Sequence, residues 1–482
     1  MSSPLTEAFT RASPRLSPRT APLASTLIHF TVAAMWVALF SCAFISQGLL
    51  AWSAGLAYVS YDTFLLCFVA WKSLALLRVS QDSSHAPEKL PSLGVIVAAH
   101  NEGAVLPITL RALLTQSRVP DLIVIADDGS SDTTSDVLVS QFQLPQPALG
   151  ELSALSPLYP NLRWLRLPHG GKAVALNAAI ALMDSEVVLT IDADTLLDTQ
   201  ATLAMQTAFA REAELVAAGG ILTPISSKTL SGRFFQWFQT YEYIRNFVSR
   251  FAWMRVDSLL LISGAFAAFR RDALLKVGGF DAECLVEDYE LIHRLRRYSV
   301  EHDLNWQVHI IGAARAVTDA PSTLMAFLRQ RRRWFAGFLQ TQHMNRDMTG
   351  NRKYGWLGTL MMPVKAIDTL QPVYGLTAFV LLVIFLINGR ATVVLPVLFI
   401  IAVKIVIDLA FHFWSIYLYQ RWTNDRSSNN LWHAFLASIA EPFSFQLMRH
   451  TGAAMGWFHF LTGRRHWGKQ QRSGLLSEPT QL

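Results

Sequence analysis

Apolar residues in this chain are gathered into blocks rather than spread evenly. Residues 27–45 run for about 19 positions without a formal charge, enough to cross a bilayer as a helix. A second block, 49–77, is broken only by Asp62 and Lys72. A third begins near Trp356, is interrupted at 363–368 and resumes over 373–387; a fourth covers 391–417. A fifth, 431–461, carries Glu441, Pro442 and Arg449. No comparable window lies between Leu77 and Asn351, so a block of about 270 residues, long enough for its own core, separates two groups of spans.

Inside that block the pattern changes to short β-branched runs alternating with helical spacing. Residues 93–99, 122–126, 162–167 and 187–191 read as buried strands, and 104–116, 134–141 and 173–183 as helices between them. Alternation with short connections predicts an α/β fold with a mostly parallel sheet, in which ligands gather at the carboxyl ends of the strands. Those ends hold His100-Asn101-Glu102, Asp127 through Asp132 and Asp192-Ala193-Asp194, so several polar clusters converge on one edge.

Composition narrows the class. Charged residues make up 16% of the chain, against about 25% in ordinary soluble domains. High hydrophobicity excludes a disordered chain, and three cysteines exclude a disulfide scaffold. The net charge of +6 is too small to make nucleic acid a partner. Arg11, Arg15 and Arg19 face a single Glu7 ahead of the first span, and a secretory signal is rejected because a second apolar span follows at once. Basic flanks at both ends predict cytoplasmic termini, a cytoplasmic central block and an even number of spans. Five apolar regions do not give an even number. Either the third includes an interfacial helix, or the Pro442 region forms a hairpin or lies along the interface. Within the fourth, Lys404, Asp408 and His412 share one helix face; an ion pair holding two helices together is the favoured reading over a functional site.

Candidate chemistry follows from the strand ends. Asp192 and Asp194 leave a strand at i and i+2, where oxygen ligands suit Mg²⁺ or Mn²⁺ shared with phosphates. Asp127 and Asp128 either read a base and ribose or initiate a turn. Lys172, beside Gly170 and Gly171 at a helix start, either meets a phosphate or is an ordinary exposed lysine. Glu287 and Asp288 open a helix: they either cap it or supply a general base. Gln330 through Trp334 (QRRRW) precede the third apolar region, as a membrane-flank anchor or as a grip on diphosphate and sugar.

This ordered set, VAAHNE, ADDGSSD, GGKAVALN, DAD, VED and QRRRW between apolar spans, resembles the membrane-integrated family 2 glycosyltransferases, which include cellulose, hyaluronan and poly-N-acetylglucosamine synthases. The resemblance implies a GT-A type nucleotide-sugar-binding domain at 79–350, between two transmembrane helices in 25–78 and transmembrane or interfacial helices in 351–462, with basic segments at 1–24 and 463–482. It implies that Asp127 and Asp128 contact the uridine of a UDP-sugar, with Lys172 nearby; that Asp192 and Asp194 hold the metal and diphosphate; and that Asp288 is the general base. Gln330 and Arg333 fall near the diphosphate, Trp334 under the acceptor's terminal sugar, and the tail Trp467, Gly468, Lys469 and Arg472 over bound nucleotide. Val286 departs from the threonine common before the Glu-Asp pair in polysaccharide synthases. The implied activity is an inverting hexosyltransferase in the plasma membrane that elongates and exports a β-linked polysaccharide. Its partners are a UDP-sugar, the growing glycan and the bilayer. Transfer of one sugar to a membrane lipid is the alternative, and a transporter or receptor with a regulatory nucleotide-binding domain a third reading.

Overall fold

The structure, a computed structural model, describes residues 4–78, 87, 89–424 and 431–463. Its centre is an eight-stranded sheet made of β1 (Leu93–Ala99), β2 (Leu122–Asp128), β3 (Leu162–Leu167), β4 (Val187–Asp192), β5 (Thr195–Leu197), β6 (Leu215–Ile225), β7 (Phe266–Arg270) and β8 (Gln307–Asp319). The order is β3-β2-β1-β4-β7-β6-β8-β5. The first four are parallel, β7 runs antiparallel between β4 and β6, and β6 pairs parallel with β8. Consecutive residues of β1 and β4 are buried, which is why these runs are apolar without alternation. Helices Leu106–Leu114, Thr134–Phe142 and Lys172–Leu182 follow β1, β2 and β3 in turn. Where β7 reverses direction, the Asp192 N–H donates to the Ala265 carbonyl, bringing residues 263–265 beside the Asp192–Asp194 turn.

Four helices are long and apolar enough to cross a membrane among the described residues: Leu23–Ile45, Gly48–Arg78, Leu357–Ile387 and Ala391–Thr423. The third apolar region runs through 363–368 as one helix, so of the two alternatives a separate interfacial helix is not found there. Pro363 falls in the first turn of the α-helical part, just after a π-turn, where its missing N–H costs little. The charges there are neutralised, since Lys365 pairs with Asp368 at 2.8 Å and the Tyr61 hydroxyl donates to Asp368 at 2.6 Å. Lys404 pairs with Asp408 on its own helix and with Asp62 on the second at 2.7 Å, which is the helix-joining arrangement favoured above.

The fifth region breaks at Glu441–Phe443 into Leu431–Ala440 and Phe445–Leu461. Glu441 at the break pairs with Arg245 at 2.6 Å. The second piece lies along helix Leu324–Met344, which carries the QRRRW string, and two glycines allow the close approach. A Cβ at Gly452 would stand 2.6 Å from Arg331 Cβ, and one at Gly456 2.8 Å from Phe335 Cβ. At the other end of the chain, helix Pro4–Ala12 and the residues after it dock on the central domain. Arg15 forms a two-pronged pair with buried Asp281 at 2.9 Å, and Arg19 meets Glu301 at 2.9 Å. These arginines are therefore occupied by the domain's own carboxylates, not only by a flanking role.

Candidate active site

A cavity of about 1560 Å³ opens at the carboxyl ends of β1, β2 and β4 and continues to the helices at the membrane end. His100, Asp128, Lys172, Asp192, Asp194 and Asp288 line one part of it, and Gln330, Arg333, Trp334, Lys365, Gln371 and His450 another. The strand-end clusters and the QRRRW helix, separate in sequence, thus share one space.

At the β2 end, the two aspartates differ. Asp127 is buried and does not line the cavity: its carboxylate accepts from the Ser130 N–H at 2.9 Å and from Trp164 Nε1 at 3.2 Å. Asp128 accepts from the Gly170 and Gly171 N–H groups at 2.7 and 3.1 Å, tying β2 to the turn before Lys172. His169 Nδ1 lies 2.9 Å from Asp128, and its ring stacks on His100 at 4.4 Å. His100, Asp128 and His169 lie close enough together to hold a metal ion, although the backbone donors already occupy Asp128.

The Asp192–Asp194 turn carries the strongest electrostatic stress. Burial, followed by the charges of Asp192 and Asp319, pushes the Asp194 acid well above the usual carboxylate range. A set of close carboxylates without enough neutralising charge is what a divalent cation resolves, so these residues fit Mg²⁺ or Mn²⁺. Lys172 Nζ lies 2.5 Å from Asp192 and 3.5 Å from Glu287. Burial opposes its charge, but Asp192 and Glu287 outweigh that and hold the ammonium above its ordinary pKa. Glu287 in turn is raised by burial, with Asp288 adding and Lys172 opposing.

Asp288 sits in the first turn of helix Glu287–Glu301. One carboxylate oxygen accepts from the Gly264 N–H at 2.7 Å and the other from the Tyr289 N–H at 2.8 Å. Both donors leave the second lone pairs of those oxygens available to a substrate hydroxyl. Elsewhere in the lining, Gln330 Oε1 is buried with no hydrogen-bond partner among the described residues, an orphan acceptor at a surface a ligand would meet. Arg331 turns away to bind Glu242 through both nitrogens at 3.0 and 2.6 Å, and its guanidinium lies 4.7 Å from the Trp334 ring centroid.

Sequence reading passed over helix Leu230–Met254, which adds Tyr243, Arg250 and Trp253 to the cavity and Glu242 behind it. Its signals were present: Thr229 caps it by accepting from the Gly232 N–H, and aromatic residues recur at helical spacing. The tail residues Trp467, Gly468, Lys469 and Arg472 lie outside the described residues.

Comparison with known proteins matches this arrangement. A Glycosyl transferase family 2 model fits residues 94–278, and a Glycosyl transferase family group 2 model fits 187–405. The probable glycosyltransferase YdaM of Bacillus subtilis is 26% identical over 65% of this chain and 66% of its own length. Poly-beta-1,6-N-acetyl-D-glucosamine synthases of Staphylococcus epidermidis and Staphylococcus aureus are 25% and 26% identical over 52% of this chain. The matches span about half the length of those synthases (55%). Among solved structures, the mannosyltransferase PcManGT of Pyrobaculum calidifontis, in complex with GDP-Man and Mn²⁺, superposes with a TM-score of 0.53. That likeness is 17% identical and covers 82% of this chain and 99% of the other, and it identifies the fold as GT-A-like. Both models fit across the sheet and the cavity, so the chain carries family 2 glycosyltransferase domain sequence, an inverting class of transferase.

Proposed function

We propose that this protein is a processive membrane glycosyltransferase that takes sugar from a UDP-sugar and extends a β-linked polysaccharide with inversion. The observation that carries the reading is one continuous cavity holding the Asp192–Asp194 carboxylates, Asp288 and Trp334 and running on to Gln371 and His450 between apolar helices. Similarity to poly-beta-1,6-N-acetyl-D-glucosamine synthases supports the polysaccharide assignment. In this reading the central domain faces the cytoplasm and the apolar helices lie in the plasma membrane, offering the polymer a way out.

In the proposed mechanism, Asp192 and Asp194 would hold Mg²⁺ or Mn²⁺, which when bound supplies charge for the diphosphate. The chain's own groups do the rest. Asp128 and Lys172 line the nucleotide end, with Asp127 fixing the β2 turn behind them. Gln330 and Arg333 face the leaving diphosphate, and Arg333 balances charge that grows there. Trp334 gives the terminal sugar a flat apolar face on which a lengthening chain can rebind after each addition. Asp288, aimed by the Gly264 and Tyr289 N–H groups, takes the proton from the acceptor hydroxyl as its oxygen attacks the anomeric carbon and UDP departs. A single displacement from an α-linked donor gives a β-linkage. The test is incorporation of radiolabelled UDP-sugars by purified membranes, with product size read on a gel. Long polymer is expected, and a single glycolipid would overturn processivity.

A further inference from the structure

The interior guanidinium groups around the cavity and its supports are paired. Arg294 meets Glu290, Arg297 meets Asp347, Arg296 meets Asp257, Arg245 meets Glu441 and Arg331 meets Glu242, each at 2.6 Å. Arg250 is different. It lies on the same helix as Glu242 and Arg245 and lines the cavity, yet it makes no hydrogen bond or ion pair among the described residues, only a contact over the Phe247 ring at 4.8 Å. Burial lowers its pKa to about 10, with Tyr243 and Asp288 opposing, as expected of a cation with no counter-ion in contact. Arg250 is half-buried at the cavity surface, where an anionic ligand would meet a guanidinium that the described residues leave unpaired.

Charge in the cavity is also divided by position. Asp192, Asp194, Asp319 and Glu287 crowd the metal end, with Lys172 among them. The walls contributed by helices Leu324–Met344, Leu357–Ile387 and Phe445–Leu461 present Arg331, Arg333, Lys365 and Arg449, and no carboxylate. Arg331 and Arg449 share the single carboxylate of Glu242, at 2.6 and 3.5 Å. Arg250 lies in the field of Asp288, whose oxygens are held by backbone N–H groups and not by Arg250.

We propose that Arg250 is an acceptor-binding residue that pairs with a carboxylate on the glycan being extended, so that the polymer is acidic and contains uronate. This rests on the polysaccharide-synthase reading and adds its substrate class. In the proposed mechanism the donor diphosphate lies between the metal-end aspartates and Lys172 on one side and Gln330 and Arg333 on the other, which leaves Arg250 without an assigned partner. A lipid phosphate would meet the same cations, so competition by polyprenyl phosphate separates the two anions.

The test uses full-length protein in detergent with UDP and Mn²⁺. Binding is measured for a glucuronate-containing hexasaccharide and for the same oligosaccharide after its carboxyls are reduced to alcohols. The acidic form is expected to bind about ten- to a hundredfold more tightly, the range of a charge-assisted contact. R250Q should erase that difference while UDP affinity stays, and R250K should restore part of it. Equal binding of the two oligosaccharides, a preference that survives in R250Q, or displacement by polyprenyl phosphate where the acidic glycan has no effect would each overturn the proposal. Metal-dependent UDP release from a panel of UDP-sugars tests the synthase reading separately. An enzyme that turns over a UDP-sugar but ignores the carboxylate keeps that reading and loses this one.

Discussion

Arg331 offers the sharpest test of how the cavity wall is built, because it is tied to Glu242 inside a motif whose neighbours Gln330, Arg333 and Trp334 line the cavity. Its side chain is 9% exposed and that of Glu242 3%, and the two are joined by bonds of 3.0 and 2.6 Å. Removing one partner of such a pair costs about 3–5 kcal/mol, most of it from stranding the other charge. In R331M the stranded Glu242 still has Arg449 at 3.5 Å, which moves the expected cost to the lower end, about 3 kcal/mol. For a domain of this size each kcal/mol shifts the midpoint by about 2–4 °C, so R331M should unfold roughly 6–12 °C earlier. E242Q should be at least as damaging, since it leaves both Arg331 and Arg449 without their shared carboxylate. The double variant R331M/E242Q should then lose clearly less than the sum of the two. The assay is the apparent unfolding temperature of purified protein in detergent, by intrinsic tryptophan fluorescence, with the four proteins compared at one heating rate. Losses that add within a degree would refute the coupling, and with it the idea that Arg331 supports Trp334 from behind.

The remaining expectations concern the chemistry and its supports. D288N should lower kcat by about 10²–10⁴ while the KM for donor changes little, measured by UDP release. G264A should slow turnover without a matching loss of stability. The added Cβ would lie 3.0 Å from Asp288 Cβ and 3.1 Å from its carboxylate, so the base must move, and unchanged kcat would argue against its present position. R15A should lower the unfolding temperature by a few degrees, because buried Asp281 loses a two-pronged partner that is itself 24% exposed; D281N should do the same, and the pair should not be additive. Chelation with EDTA should abolish UDP release, and added Mn²⁺ or Mg²⁺ should restore it.

What the sequence disclosed follows from what local patterns can carry. Strands β1, β2 and β4 were legible because a buried parallel strand is a short apolar run, and the polar clusters after them stood out by contrast. Helix Leu230–Met254 was not, because the face it buries includes Gln239 and Glu242, so its interior stripe is not purely apolar. Glu242 becomes acceptable inside through Arg331, 89 positions away, with Arg449 beyond it, and no local window contains either partner. The same holds for Arg15 and Asp281, separated by 266 residues. Hydropathy marked 431–461 as apolar but was silent on Gly452 and Gly456, whose small size turns that region into a neighbour of the QRRRW helix. Within QRRRW, position alone did not say that Arg331 is tied to Glu242 while Gln330 Oε1 has no hydrogen-bond partner among the described residues. That division depends on which helix packs behind it.

The docking of the N-terminal segment also fixes how the chain is threaded. Arg15 precedes the first apolar helix and holds Asp281 of the central domain, so both lie on one side of any bilayer the helices cross. Helices Leu23–Ile45 and Gly48–Arg78 must then leave and return as a hairpin. Helix Phe445–Leu461, packed along Leu324–Met344, imposes the same return on Leu357–Ile387 and Ala391–Thr423. Two hairpins anchored on one face leave a single choice of orientation for the whole molecule. One epitope placed ahead of Pro4 therefore reports the side of any such membrane on which Asp288 lies.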